Sequence, residues 1–373
     1  MDMKEALTVL VQVGGSDLHL KAGLPLMIRQ KGELLPVDMP PFSGEEIEEM
    51  LFSIITDRQK KKLEEERELD FSYNIEGLAR FRGNIFFQKG IIGGVFRVIP
   101  ADIPTLASLS MPETLKKLVQ NEQGLILVTG PAGSGKSTTL AAMIEEINLT
   151  KRKHIIIIED PLEFVHKDKN CVVNQREVGS DTLSFSHALK RALRQDPDII
   201  LIGEMRDPET ISIAMTAAET GHLVFSTLHT NDAKQSITRI INSFPPEEHH
   251  QVRIKVSLSL LAVISQRLVN RSDGKGRIAV QEIMINSPTI AKLIEEGNIG
   301  KIDKVIEDSV TYYNMQSLNQ GLFNLWKEKI IQEKDALSIS NNPNDLNLKF
   351  KTASFASQQS KHMGGVHSQD GRK

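Results

Sequence analysis

Residues 130–137 of the chain read GPAGSGKS, a complete GxxxxGK[ST] pattern with Gly130, Gly135, Lys136 and Ser137 in the required places. Each residue type has a physical task. Glycines let successive backbone N–H groups turn inward onto phosphate oxygens, a curvature that Cβ atoms obstruct. Lys136 supplies a point charge for the β- and γ-phosphates, and the Ser137 hydroxyl a ligand for Mg2+. The apolar run LILVT precedes the loop and STTLAAMIEEIN follows it, so a strand enters and a helix leaves. The helix adds the positive end of its dipole. Gly130, Pro131, Ala132, Gly133, Ser134, Gly135, Lys136, Ser137 and Thr138 are therefore expected to hold a nucleoside triphosphate.

Hydrolysis needs acids beside that loop, one for the Mg2+ shell and one to position the attacking water. In an open parallel sheet ligands gather at the carboxyl ends of the strands. HIIIIED ends in Glu159 and Asp160 with Glu163 close behind, and DPDIILIGE ends in Glu204. Glu204 is the expected Walker-B-type acid and a Mg2+ ligand, although Asp196 and Asp198 lie just before the same strand. Glu163 is open to two readings, a catalytic acid or a salt-bridging loop acid. His222 and His229 flank HLVFSTL and could sense phosphate or water, or simply hydrogen-bond the backbone. No Cys/His cluster has the spacing of a zinc site. Arg80 and Arg82 alternate about Phe81 on one strand face, and Arg97 follows. They form either a solvated sheet face or guanidinium groups for the triphosphate.

The elements that must carry these residues fall into two domains, as 373 residues suggest. Residues 1–99 predict a short helix over 3–13, a hairpin, two helices beginning at Ser43 and Asp57, and three strands. PADIPTL, with its two prolines, marks a linker at 100–108. From 109 onward apolar strands alternate with helices, which predicts a parallel sheet covered on both faces. Helices continue to about 350, and the polar segment 351–373 is expected to be disordered. The net charge of -3 and the lack of a basic, aromatic-rich channel disfavour a nucleic-acid partner. No segment approaches 18 apolar residues and no signal peptide is evident, so a cytoplasmic protein is expected. The single cysteine, Cys171, reads as an inert thiol.

Longer motifs carry a resemblance. IIIIEDPLEFVH (155–166) resembles the Asp box of the secretion and pilus ATPases, DPDIILIGEMRD (196–207) their Walker B region, and TGHLVFSTLHTNDA (220–233) their His box. With VGGSDLHLKAGLPLMIR, ARFRGNIFFQKG and NPNDLNLKF, the likeness spans residues 1–350 and is strongest to the type IV pilus retraction ATPases, the PilT/PilU branch. The resemblance implies an α/β chain with a PAS-like N-terminal domain, a RecA-like P-loop domain and a helical C-terminal part. It implies ATP and Mg2+ as ligands, Glu163 as the acid that activates water, Glu204 as the Walker B acid, and His222 and His229 as the His-box pair. It also implies that Arg80, Arg82 and Arg97 reach the phosphates. Its members are homohexamers that drive an inner-membrane pilus platform protein and work beside paralogous pilus ATPases, docked peripherally at the pilus base.

One departure concerns the helix that reads AIRNLIRE in retraction ATPases. Here TIAKLIEE (289–296) places Ala291 and Glu295 at the two arginine positions. That change bears on docking more than on the distant nucleotide site. It keeps an accessory paralogue beside the motor reading; a further alternative, a regulatory ring with vestigial hydrolysis, is opposed by the intact Gly133, Lys136, Ser137, Glu163 and Glu204. Extension ATPases add a four-cysteine zinc module, which one cysteine cannot supply.

Overall fold

The computed structural model describes residues 1–99 and 102–364. Pro100 and Ala101 of the expected linker, and residues 365–373 of the expected tail, lie outside the described residues.

The chain separates into two compact units. The first takes in Met1–Ile103 with Glu159–Lys167 and Gln175–Ser184. It opens with helix α1 (Met3–Gln12), followed by strands β1 (Asp17–Leu20), β2 (Met27–Gln30) and β3 (Glu33–Pro36). Helices α2 (Gly44–Phe52) and α3 (Asp57–Glu66) come next, then β4 (Glu68–Ile75), β5 (Ala79–Gln88) and β6 (Ile91–Ile99). The three helices start where their sequences provide a reciprocal cap, at Asp2, Ser43 and Thr56, each paired with a Glu or Gln three residues on. The strands form one antiparallel sheet in the order β3-β2-β1-β6-β5-β4. Leu18, Phe81 and Phe96 lie in its core, and Phe71 meets Phe96 edge-on at 6.0 Å. Gly83 lies between those two rings; a Cβ there would come within 2.8 Å of both.

The second unit holds Pro104–Ile158, Asp168–Asn174 and Phe185–Lys373. Its elements begin with α4 (Glu113–Leu118), β7 (Gly124–Thr129), α5 (Lys136–Thr150), β8 (His154–Glu159) and the first half of β9 (Val172–Glu177), whose residues from Gln175 belong to the first unit. They continue with α6 (Phe185–Ala192), β10 (Ile199–Ile202), α7 (Pro208–Glu219), β11 (Leu223–Leu228), α8 (Ala233–Ile241) and α9 (His249–Ser259). The last part comprises β12 (Leu260–Asn270), β13 (Arg277–Ile285), α10 (Pro288–Glu296), α11 (Ile302–Asp308) and α12 (Val310–Tyr313). Helices α13 (Leu318–Lys327), α14 (Glu333–Ile339) and α15 (Pro343–Gly364) end it. The strands lie in the order β13-β12-β7-β11-β10-β8-β9. Strands β12, β7, β11, β10 and β8 run parallel, and β7, β10 and β11 are buried along their whole length. Uniformly apolar strands are what a sheet covered on both faces requires.

Two expectations need correction. The sheet is not wholly parallel, because β13 pairs antiparallel with β12 from Ala262↔Ile285 to Asn270↔Arg277. Helix α15 also runs on through residues 351–364 of the segment expected to be disordered. Lys, Ala, Gln and Met supply seven of those fourteen residues, and all are good helix formers.

Candidate nucleotide-binding and hydrolysis site

The phosphate loop occupies the carboxyl end of β7, between that strand and α5. Gly130 has φ +145°, and a Cβ on it would stand 2.4 Å from the Gln266 carbonyl oxygen. Gly135, at φ +85°, is the left-handed residue from which α5 springs. No side chain is accommodated at the first position, and only glycine adopts the second without strain. Lys136 is buried, and its ammonium donates to the carbonyls of Gly130 at 2.9 Å and Pro131 at 3.1 Å. Its charge is thereby held inside the loop.

A polar layer on β12 fixes this loop from behind. Gln266 donates from Nε2 to the Ser134 carbonyl at 2.7 Å and accepts from Thr139 Oγ1 at 2.8 Å. Gln281 on β13 donates to the same Oε1 at 3.4 Å, and Thr129 meets Ser265 at 2.9 Å. Buried groups in such a network hold one another in a single arrangement. Sequence reading missed Gln266 and Gln281; the only signal was a polar residue interrupting an apolar run.

The parallel register places the ends of β7, β11 and β10 along one edge, with Thr129 beside Leu228 and Ser226 beside Ile202. Strand β11 lies between the other two, so His229 follows the middle strand and Glu204 the outer one. His229 is exposed. Glu204 is 14% exposed and pairs with Arg206 at 2.5 Å. Asp196 and Asp198 both precede β10 and so lie at the opposite end of that strand from Glu204, where the Asp198 carboxylate accepts from the His154 amide at 2.8 Å. Asp207 caps α7. Glu204 is therefore the acid of this segment at the carboxyl edge.

His222 lies elsewhere. It immediately precedes β11, and its Nδ1 sits 3.0 Å from the Ala217 carbonyl of α7. Six strand residues separate it from the carboxyl edge, about 20 Å at strand rise. The expected His-box pair is thus not brought together within the chain, and only His229 stands at the edge bearing the phosphate loop.

The remaining expected residues belong to the first unit. Glu163 is exposed on the loop after β8. Burial is the main cause that pushes Glu159 up to about 8, with the neighbouring Glu163 and Glu177 carboxylates adding to it. The three arginines differ in what holds them. Arg80 Nη2 donates to Glu177 Oε2 at 2.8 Å, while its Nε is buried without a partner among the described residues. An orphaned donor of that kind costs about 1–3 kcal/mol.

Arg97 and Arg82 belong to a row across four strands, in which Arg29 pairs with Asp17, Asp17 with Arg97 and Arg97 with Arg82. Asp17 is buried and accepts from Arg97 Nε at 2.7 Å, with Arg29 at 3.8 Å. Burial acts to raise the Asp17 carboxyl, but the Ser16 hydroxyl and the Arg97 guanidinium outweigh it and hold it below its ordinary value. Arg82 is exposed and has no ion-pair partner among the described residues. Of the three, it has the guanidinium free to meet an anion.

Among the described residues no group of His, Cys, Asp or Glu is arranged to hold a metal by itself. No helix among the described residues is long and apolar enough to cross a membrane.

Comparison with known proteins gives this arrangement its context. The family model for type II/IV secretion system proteins matches residues 102–322. The type IV pilus retraction ATPase PilT of Pseudomonas aeruginosa is 49% identical over 336 residues, 90% of this chain and 97% of that protein. The type IV pilus ATPase PilU of the same organism is 43% identical over 354 residues, 95% and 92% of the two chains. A crystal structure of the pilus retraction motor PilT with bound ADP superposes with a TM-score of 0.87 at 43% identity, covering 93% of this chain and 99% of that one. The Legionella pneumophila ATPase DotB gives 0.80 at 28% identity, over 90% and 94%. The α/β class and its division into a PAS-like N-terminal domain and a RecA-like P-loop domain agree with these likenesses. The phosphate loop, the acid beside it and this near full-length similarity make the chain a nucleotide-binding ATP hydrolase of the type II/IV secretion system protein family, in the branch of the type IV pilus retraction ATPases.

Proposed function

We propose that the chain works as a homohexameric motor that couples ATP hydrolysis to type IV pilus retraction and hence to twitching motility. The observation that carries this reading is the likeness to PilT over 97% of that protein's length, joined to an intact phosphate loop. In this account residues 1–99 and 109–350 are the two domains and 100–108 the linker. The motor works in the cytoplasm, docked at the inner-membrane base of the pilus on the platform protein.

Lys136 and the backbone amides of the loop bind the triphosphate. Ser137 and Glu204 would hold Mg2+, which supplies charge neutralisation on the phosphates when bound. Glu163 takes the proton of the attacking water. His229 stands ready to hydrogen-bond the departing phosphate, and Arg82 is the first-domain arginine offered to developing negative charge.

A second reading, an accessory retraction ATPase that needs a partner motor, is favoured by helix α10. That helix buries Ile290 and Ile294, and it carries exposed Glu295 one turn after Ala291. The test is deletion of the gene in its source strain, scored by fibre number and twitching. The motor reading expects more fibres and lost twitching, restored by the wild-type gene alone. Unchanged twitching overturns retraction. Restoration only when a paralogous pilus ATPase is present, and independence from it in the Ala291→Arg/Glu295→Arg variant, supports the accessory reading.

A further inference from the structure

Glu177 ends β9 and is buried, outside the phosphate loop and the Asp and Walker B segments. One oxygen, Oε2, gathers three donors: Ser72 Oγ of β4 at 2.6 Å, Arg80 Nη2 of β5 at 2.8 Å and the Leu162 amide at 3.3 Å. The backbone around Glu177 is itself fixed. Its amide donates to Asp181 Oδ2 at 2.8 Å, and the next amide, Val178, donates to the Glu159 carbonyl at 2.9 Å.

The loop side of this arrangement is specific. Leu162 and Glu163 are consecutive, and the Leu162 amide goes to the Glu177 carboxylate. The Leu162 side chain is buried while that of Glu163 is exposed. The backbone is therefore clamped at the residue next to Glu163, and the clamp is anchored to the N-terminal sheet through Ser72 and Arg80. We propose that Glu177 is a positioning residue for hydrolysis, holding the loop that bears Glu163 against strands β4 and β5. Arg80 serves this clamp as the counter-charge of Glu177, in place of the phosphate contact expected from sequence. A buried ion pair that leaves Arg80 Nε unpaired is a poor device for stability alone, which favours a role in placement. Misplacing a catalytic group by about 1 Å costs on the order of a hundredfold in rate.

This inference rests on Glu163 as the water-activating acid, and its test separates the two. Steady-state ATP hydrolysis and backbone hydrogen exchange are measured on the full chain for Glu177→Ala, Glu177→Gln and Glu163→Gln. The expected result for Glu177→Ala is a kcat at least tenfold lower with KM for ATP within twofold. Exchange at Leu162 should rise at least tenfold while β5 and β6 keep their protection. Glu177→Gln retains an acceptor oxygen and should lose less, which guards against a variant that fails to fold. Wild-type exchange at Leu162 in both Glu177 variants overturns the proposal. Wild-type kcat in both, with Glu163→Gln inactive, overturns it while leaving the reading of Glu163 intact. Full turnover in Glu163→Gln overturns the assignment of Glu163 and the catalytic meaning of the clamp together.

Discussion

Gln266 on β12 donates its side-chain N–H to the Ser134 carbonyl at 2.7 Å, so a strand remote in sequence sets the curvature of the phosphate loop. The same amide accepts from Thr139 in the helix that follows the loop. One side chain thus braces both the loop and its exit helix. Gln266→Ala should weaken nucleotide binding about tenfold, the equivalent of one or two buried hydrogen bonds. A titration with fluorescent ADP checks it; unchanged affinity in a folded variant would show that the loop holds its shape unaided.

The second prediction concerns pH. Glu159 keeps its proton in the folded chain up to about 8, whereas an exposed glutamate releases it near 4.5. Between those values the folded state binds more protons than the unfolded one, so this group's contribution to stability declines as pH rises. Glu159→Gln removes the titration. Its melting temperature relative to wild type should climb from pH 5 to pH 8 and level off above that. A constant difference across the range would mean that Glu159 is ionised in the native fold.

The two histidines should separate in kinetics. His222 hydrogen-bonds the end of α7 at the opposite edge from the phosphate loop, and His229 lies at the same edge as that loop. His222→Ala should cost about 1 kcal/mol of stability and leave kcat within about threefold. His229→Ala should lower kcat about tenfold or more with little change in melting temperature. Equal kinetic defects in the two variants would mean that His222 acts on a nucleotide this chain does not itself bind.

What could be read in the sequence follows from the range of the interactions. The phosphate loop, the cap at Ser43, and the buried strands β7, β8, β10 and β11 are local patterns of a few residues. They were legible because their chemistry is completed by close neighbours. Glu177 meets Ser72 and Arg80, 105 and 97 residues away, and Gln266 meets Ser134 at a separation of 132. No spacing rule announces such partners. The same limit affected the arginines. Arg80, Arg82 and Arg97 looked equivalent on their strands, and only the partners Glu177 and Asp17 distinguish them. Strand β13 escaped notice because RIAVQEIMI is buried over most of its length and so lacks the alternation of a half-exposed antiparallel strand.

ATP hydrolysis at the phosphate loop, as proposed, makes Glu204 an essential acid. ATP turnover by Glu204→Gln, measured beside its nucleotide affinity, tests this most directly. The account predicts binding within about threefold of wild type and turnover reduced about a hundredfold or more. Turnover equal to wild type would contradict it.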